Sequence, residues 1–329
     1  MLLEAIAANL LTPAVLFFVL GVIAAVVKTD LKLPEPLYVT LTVYLLVAIG
    51  FKGGVSISEA GLAKVWLPAL VAIALGTAIP LWSYPLLRLG RLPAVDAASI
   101  AAHYGSVSAV TFITAVNYLS QIKEPSESYA AAFLAVMESP AIIIGVLLGK
   151  LALQREGQRG SLAETIRAAL HEALLGRSVF LLLGALLAGY LSGKRGYDAT
   201  SGFFVTPFQG VLTLFLLEMG TVAGRRLGGL RKAGAFLLGF GLVMPLLHGF
   251  LGTGAGQLAG LSTGGCALLG TLAASASYIA APAAMRLSLP EANPTLSLTA
   301  ALAITFPFNV TIGIPLYLQM ARWWMGDSV

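Results

Sequence analysis

Ala101-Ala102-His103-Tyr104-Gly105-Ser106-Val107-Ser108-Ala109-Val110-Thr111 lies inside an apolar run that extends over about 94–118. Gly105 lets a helix open there, and an opened turn exposes backbone N–H groups that the serine hydroxyls supplement. A helix break of this kind binds anions through its dipole and its donors. The same signature returns 169 residues later as Ala273-Ala274-Ser275-Ala276-Ser277-Tyr278. Either stretch alone reads equally well as close helix packing, which also favours Ser, Ala and Gly. Paired at a fixed offset, Gly105, Ser106, Val107 and Ser108 with Ser275, Ala276 and Ser277 form the candidate binding centre.

The surrounding sequence fixes the solvent. Of 329 residues, 58% are hydrophobic and only 11% charged, against roughly 25% charged in soluble domains. That composition suits an outer surface facing lipid. The 36 glycines and 16 prolines are tolerable in membrane helices, where neighbouring helices satisfy freed backbone groups. The single Cys266 excludes an intramolecular disulfide. Three scattered histidines without a CxxC pair exclude a structural metal site of the usual spacing, and no cofactor motif is present. The net charge of +5 resides mostly in loops, which points to membrane orientation rather than nucleic-acid binding.

Ten runs approach the roughly 20 apolar residues a helix needs to cross the hydrocarbon. They cover about 10–27, 36–51, 65–87, 94–118, 129–149, 173–192, 203–220, 233–251, 264–285 and 295–321. The first has neither a basic leader nor a small-residue cleavage site, so it is read as a true span. The second and seventh are short, as expected of steep or broken helices. Leu33-Pro34-Glu35-Pro36 and Gly90-Arg91-Leu92-Pro93 punctuate the first half, and the polar stretch from Lys150 to Arg167 divides the chain. Loops after odd-numbered spans, with Arg177 at the start of span six, hold 14 Lys and Arg residues; the opposite side, with both termini, holds 6. The positive side is cytoplasmic by the usual bias, so both termini are expected outside.

The halves match at an offset near 169. Besides the serine pairs, Pro140 answers to Pro307 and Ile49-Gly50 to Met219-Gly220. Five spans per half is an odd number, so the second half enters the membrane with the opposite orientation. The expected fold is therefore all-α, with about ten transmembrane helices in a five-plus-five inverted repeat: residues 1–150, a cytoplasmic connection at 151–172, and residues 173–329. This is a common plan of secondary transporters, with the substrate near mid-membrane where the halves meet.

Ionisable residues inside spans are costly and suggest function. Glu138, in Val136-Met137-Glu138-Ser139-Pro140, is flanked by apolar sequence and reads as a proton or cation carrier. His103 is a second candidate carrier or a packed core histidine. His248, near a span end, reads as structural, and Glu218 is left open. Lys52, after span two in Gly50-Phe51-Lys52-Gly53-Gly54, reads as an interfacial lysine or a fixed positive charge near an anion. A different class of function, an intramembrane protease with Ser106 as nucleophile and His103 as base, has the right spacing on a helix. It lacks a third group to orient the histidine.

Several motifs together resemble the sodium-dependent bicarbonate transporter family of bacteria over nearly the whole chain. They are Ile49-Gly50-Phe51-Lys52-Gly53-Gly54, Pro93-Ala94-Val95-Asp96-Ala97, Gly105-Ser106-Val107-Ser108, Met219-Gly220, Pro245-Leu246-Leu247-His248-Gly249-Phe250, Ala274-Ser275-Ala276-Ser277-Tyr278-Ile279, Pro282, Arg286, Pro290, Ala292-Asn293-Pro294, Pro307 and Gly313-Ile314-Pro315-Leu316. The resemblance implies a bacterial inner-membrane protein, a homotrimer, and a core domain of spans 3–5 and 8–10. Spans 1, 2, 6 and 7 form its gate domain. It also implies bicarbonate at the two serine segments, with sodium close by. The sequence departs from the family where the cation binds: Tyr278 and Glu138 stand where Asp is typical, and Phe306 where Thr is typical. Ion coupling thus falls to Glu138, His103, Tyr278 or Lys52, by sodium, by protons or by neither, and another small anion such as a carboxylate is the alternative substrate. The short Lys150–Arg167 connection departs too, so the family's nitrogen-regulator (PII-type) partner is not carried over.

Overall fold

A computed structural model describes residues 2–31, 33–155, 167, 171 and 175–326. Most of the expected connection at 151–172, and the start of the sixth expected span, lie outside the described residues. All regular structure among the described residues is helical. We number the helices α1 (Leu2–Leu10), α2 (Pro13–Val26), α3 (Glu35–Ala60), α4 (Leu62–Leu89), α5 (Ala94–Gly105), α6 (Ala109–Gln121), α7 (Ala131–Arg155), α8 (Arg177–Phe204), α9 (Phe208–Arg226), α10 (Leu230–Leu258), α11 (Thr263–Ala274), α12 (Ala280–Ser288) and α13 (Pro294–Met325).

Among the described residues, six helical segments are long and apolar enough to cross a membrane, and eight if each of two bent pairs is one span. The expected ten runs are therefore not ten straight rods. At about 1.5 Å per residue, the 14 residues of α2 and the 12 of α11 fall short of a hydrocarbon core about 30 Å thick. α1 and α2 meet at 65°, and α8 and α9 at 54°. The second run is not short: α3 continues for 26 residues through Lys52, Gly53 and Gly54. The glycines do not end it, because they face a neighbouring helix instead of a turn. A Cβ on Gly54 would lie 1.9 Å from the Leu186 carbonyl oxygen, and one on Gly189 would lie 2.1 Å from that of Phe51.

Close approach through glycine pairs α3 with α8, and likewise α2 with α9. At the second crossing a Cβ on Gly21 would meet the Leu217 carbonyl at 2.1 Å, and one on Gly220 that of Phe18 at 2.0 Å. Lipid tails give helices no hydrophobic reason to associate, so backbone-to-backbone contact of this kind carries the association. A second group forms around the broken helices. α4 and α7 flank α5, and α10 and α13 flank α11.

α13 winds through two π-helical stretches, Thr299–Thr305 and Asn309–Gly313. Pro315 cannot donate to the Thr311 carbonyl four residues earlier. Asn9 of α1 supplies the missing donor: its Nδ2 donates to the carbonyls of Val310 (2.8 Å) and Thr311 (2.9 Å). His248, expected near a span end, lies well inside α10, fully buried; its Nε2 accepts a bond of 2.9 Å from Trp82 Nε1 of α4. Glu218 is also structural: it accepts the Leu33 N–H at 3.0 Å and ties the chain before α3 to α9.

The crossings predict an asymmetry among glycines. Gly21→Val forces two backbones apart and is expected to cost about 1–3 kcal/mol, the range for overpacking. Gly184→Val, where a Cβ meets nothing within 4 Å, should be neutral. Thermal melting of the detergent-purified protein checks this, and equal melting temperatures for the two variants would contradict it.

Candidate functional site

Both serine stretches break their helices. α5 stops at Gly105, where a Cβ would meet the Pro80 ring of α4 at 2.3 Å and Ala141 of α7 at 3.0 Å. Ser106 is extended (ψ 170), and Ser108 (φ −103, ψ 111) caps α6 by accepting the Thr111 N–H at 3.1 Å and the Thr111 hydroxyl at 2.9 Å. α11 stops at Ala274, and Ser275 is extended in the same way (ψ 167). Sequence and geometry thus agree that each Ser-x-Ser opens the chain.

The breaks are bonded to each other. The Ser108 N–H donates to Ser275 Oγ at 2.8 Å, and the Ser277 N–H donates to the His103 carbonyl at 2.8 Å. Ser275 Oγ in turn donates to the Leu272 carbonyl at 2.8 Å. Ser277 Oγ accepts the Ala281 N–H at 3.2 Å and so tethers the start of α12. α13 braces the crossing: Asn309 Nδ2 donates to the Ala274 carbonyl at 2.9 Å, and Tyr317 hydroxyl donates to Asn309 Oδ1 at 2.6 Å. On the other flank Tyr104 hydroxyl meets Thr305 Oγ1 at 2.7 Å, and Thr305 donates to the Gly241 carbonyl. Asp96, at the start of α5, accepts the Asn293 N–H at 2.7 Å and ties α5 to the loop before α13.

Beside the crossing is a cavity of about 20 Å³, room for about one water. Val107, Ser108, Ser277, Tyr278 and Glu138 of the sequence candidates line it. Gly105, Ser106, Ser275 and Ala276 lie in the crossing and do not face the cavity; Ser106 Oγ is buried without a hydrogen-bond partner. The Tyr278 hydroxyl is a second buried polar atom without one. Glu138 is buried and makes no ion pair among the described residues. Phe306 stands edge-on to Tyr278 at 5.3 Å, and Phe18 edge-on to Phe306 at 5.4 Å. The place where the family resemblance implies a hydroxyl is filled by ring carbon.

Two candidates are not at the cavity. His103 contributes only its carbonyl to the crossing. Its Nδ1 bonds the Ser99 carbonyl at 2.7 Å, which leaves Nε2 as an unpartnered acceptor in a separate cavity of about 100 Å³ with Ser99 and Arg286. His103 Nε2 and Ser106 Oγ are not bonded to each other, so the pair lacks the contact a nucleophile and its base require. Lys52 lies further along α3 and lines other cavities. Conversely, Thr42, Leu45 and Leu46 of α3 and Phe215 of α9 line the central cavity, although nothing in their sequence singled them out. Three of the four are apolar residues in apolar runs, indistinguishable there from lipid-facing ones.

The profile of the Na+-dependent bicarbonate transporter superfamily matches residues 13–322, a stretch that holds both broken helices and all of the cavity lining. The chain belongs to this superfamily. No curated protein matches the chain. Membership makes this a multi-pass membrane protein of a transporter superfamily rather than of an enzyme family, in line with its apolar helices.

Ser106→Ala and Ser277→Ala each remove one hydroxyl at or behind the cavity. A hydrogen bond to a charged group is worth about 1.5–3 kcal/mol, so on the reading proposed below each variant, Ser106→Ala once the crossing opens, should bind a small anion about 10- to 150-fold more weakly. Ser106→Ala should melt at the wild-type temperature, because its hydroxyl has no partner to lose. Titration of purified variants with labelled bicarbonate reads both, and unchanged affinity in both would move the site elsewhere.

Proposed function

We propose that this protein is a secondary transporter of a small monovalent anion, bicarbonate being the best single substrate, held where the breaks of α5–α6 and α11–α12 meet. The observation that carries the reading is the pair of opened helices bonded to each other beside a cavity lined by Ser108, Ser277 and the first turn of α6. The N-terminus of a 13-residue helix, with hydroxyls beside it, suits an anion. A cavity of about 20 Å³ is too small for bicarbonate, so binding requires the walls to part. The walls come from two groups of helices. Ser108, Glu138 and Ser277 belong to the broken-helix group, whereas Thr42, Leu45, Leu46 and Phe215 belong to the glycine-crossed group. Movement of the second group (α2, α3, α8 and α9, a gate) against the first (a core) opens the site.

The same reading includes the five-plus-five inverted repeat. α2 pairs with α9 and α3 with α8, so the first helix of one half meets the second helix of the other, and the converse. A two-fold relation between halves produces this exchange. The Ser106–Ser275 and Ser108–Ser277 correspondences support it further. Both termini outside the cytoplasm follow from the charge bias, and a trimer follows from the family alone.

The cavity keeps hydroxyls from Thr42, Ser108 and Ser277 but lacks the carboxylate at position 278 and the hydroxyl at position 306 that the family resemblance implies for sodium. Sodium is a hard cation and, by analogy with other hard cations, prefers carboxylate, carbonyl or hydroxyl oxygen. Phe306 offers none, and Tyr278 offers one neutral phenol. Glu138 is the one carboxylate on the cavity, and its chemistry is that of a proton carrier. As the gate moves, Glu138 gains a proton on one side and loses it on the other. Uptake of labelled bicarbonate into proteoliposomes, with sodium and pH varied separately, tests this. An inward proton gradient should drive wild-type uptake, and Glu138→Gln should abolish that drive. Strict dependence on sodium, saturating in its concentration, would overturn the coupling assignment.

A further inference from the structure

One face of α3 lines a succession of cavities. Thr42, Leu45 and Leu46 line the central one, and Ile49 and Lys52 line two more, of about 190 and 150 Å³. These two share Ile49, Lys52, Val116 and Ser120, so they adjoin at these residues, and we call the pair the Lys52 chamber. Six residues separate Leu46 from Lys52, about 9 Å along the helix axis at 1.5 Å per residue. The central cavity and the chamber share no lining residue, and buried Leu45 and Ile49 stand between them.

The chamber's charges are unequally engaged. Glu124 is ion-paired with Arg322 at 2.8 Å. Glu127 accepts the N–H and the hydroxyl of Ser262, both at 2.9 Å, at the N-terminus of α11. Lys52 makes no ion pair among the described residues. Asn117 of α6 and Gln209 of α9 add amide donors to the wall, and Ser120 a hydroxyl. A lysine within a span ordinarily reaches for the interface. Lys52 is exposed, and the open chamber it lines is large enough for a small anion and carries neutral donors beside the two carboxylates.

We propose that the Lys52 chamber is a second anion site, which collects small monovalent oxyanions before they pass Ile49 to the serine breaks. The proposal rests on the transport reading above. Lys52 supplies the counter-charge, and Asn117, Ser120 and Gln209 supply hydrogen bonds. The two carboxylates on the wall are already engaged, Glu124 by Arg322 and Glu127 by Ser262, whereas the Lys52 ammonium has no ion pair among the described residues.

Two measurements test it. The first is the concentration dependence of bicarbonate uptake into proteoliposomes for wild type, Lys52→Gln, Lys52→Arg and Ser277→Ala, at low and high inert salt. Lys52→Gln should raise the half-saturating concentration about tenfold at low salt, a modest value for electrostatic capture. Its maximal rate should stay within about twofold of wild type, and the deficit should shrink as salt screens the charge. Lys52→Arg should behave as wild type. Wild-type half-saturation in Lys52→Gln, or a deficit equal at every salt concentration, overturns the proposal. If Ser277→Ala alone is impaired, the central site stands and the chamber falls; if Lys52→Gln alone is impaired, the reverse holds. The second measurement does not depend on transport. Trinitrobenzenesulfonate modification of Lys52 in the purified wild-type protein, read by mass spectrometry, should slow several-fold with excess bicarbonate at fixed pH and ionic strength. Equal labelling with and without bicarbonate would contradict the proposal even if uptake were normal.

Discussion

Backbone groups freed in an apolar interior must find partners, and the arrangement of this protein depends on how two breaks supply them to each other. An unpaired N–H away from water costs several kcal/mol. The N–H of Ser108 is satisfied by the Ser275 hydroxyl, and the N–H of Ser277 by the His103 carbonyl. Neither break is tolerable without the other, so the two halves of the chain must meet there. Asn309, Tyr317, Tyr104 and Thr305 then fix the meeting point from either side through hydrogen bonds that reach the ends of α5 and α11.

A second constraint acts on the glycine-crossed helices. Their contacts are backbone against backbone, through Gly21, Gly54, Gly189 and Gly220, with no room for a Cβ. Such contacts resist deformation within the pair. They leave the boundary with the broken-helix group to side chains such as Leu45, Leu46 and Phe215. On the transport reading proposed above, a tight pair sliding over that boundary exposes one fixed site alternately, and the small central cavity corresponds to a closed stage.

What the sequence disclosed follows physical signal strength. Gly105-Ser106-Val107-Ser108 and Ser275-Ala276-Ser277 were legible as breaks because polar, small residues are conspicuous in apolar runs, and the fixed offset linked them. Their mutual contact is what the matching offset leads us to expect. The gate's share of the cavity was not legible, since Leu45, Leu46 and Phe215 carry no mark that separates a wall facing a site from one facing lipid. The second run reads as ending at Phe51, yet Gly53 and Gly54 serve a helix crossing and α3 continues past Lys52, which is exposed and lines cavities other than the central one. His248 was misplaced because its run ended early by hydropathy, while α10 continues to Leu258. The count of spans was limited by hydropathy too, which does not register where an apolar run bends or breaks.

The central claim is that the two serine breaks hold the transported anion. A cryo-electron microscopy map of the protein in nanodiscs, with and without saturating bicarbonate, tests it most directly. The account predicts new density between Ser108 and Ser277, in a cavity widened by withdrawal of Leu45, Leu46 and Phe215. Density confined to another part of the molecule, with the region between Ser108 and Ser277 unchanged, would contradict it.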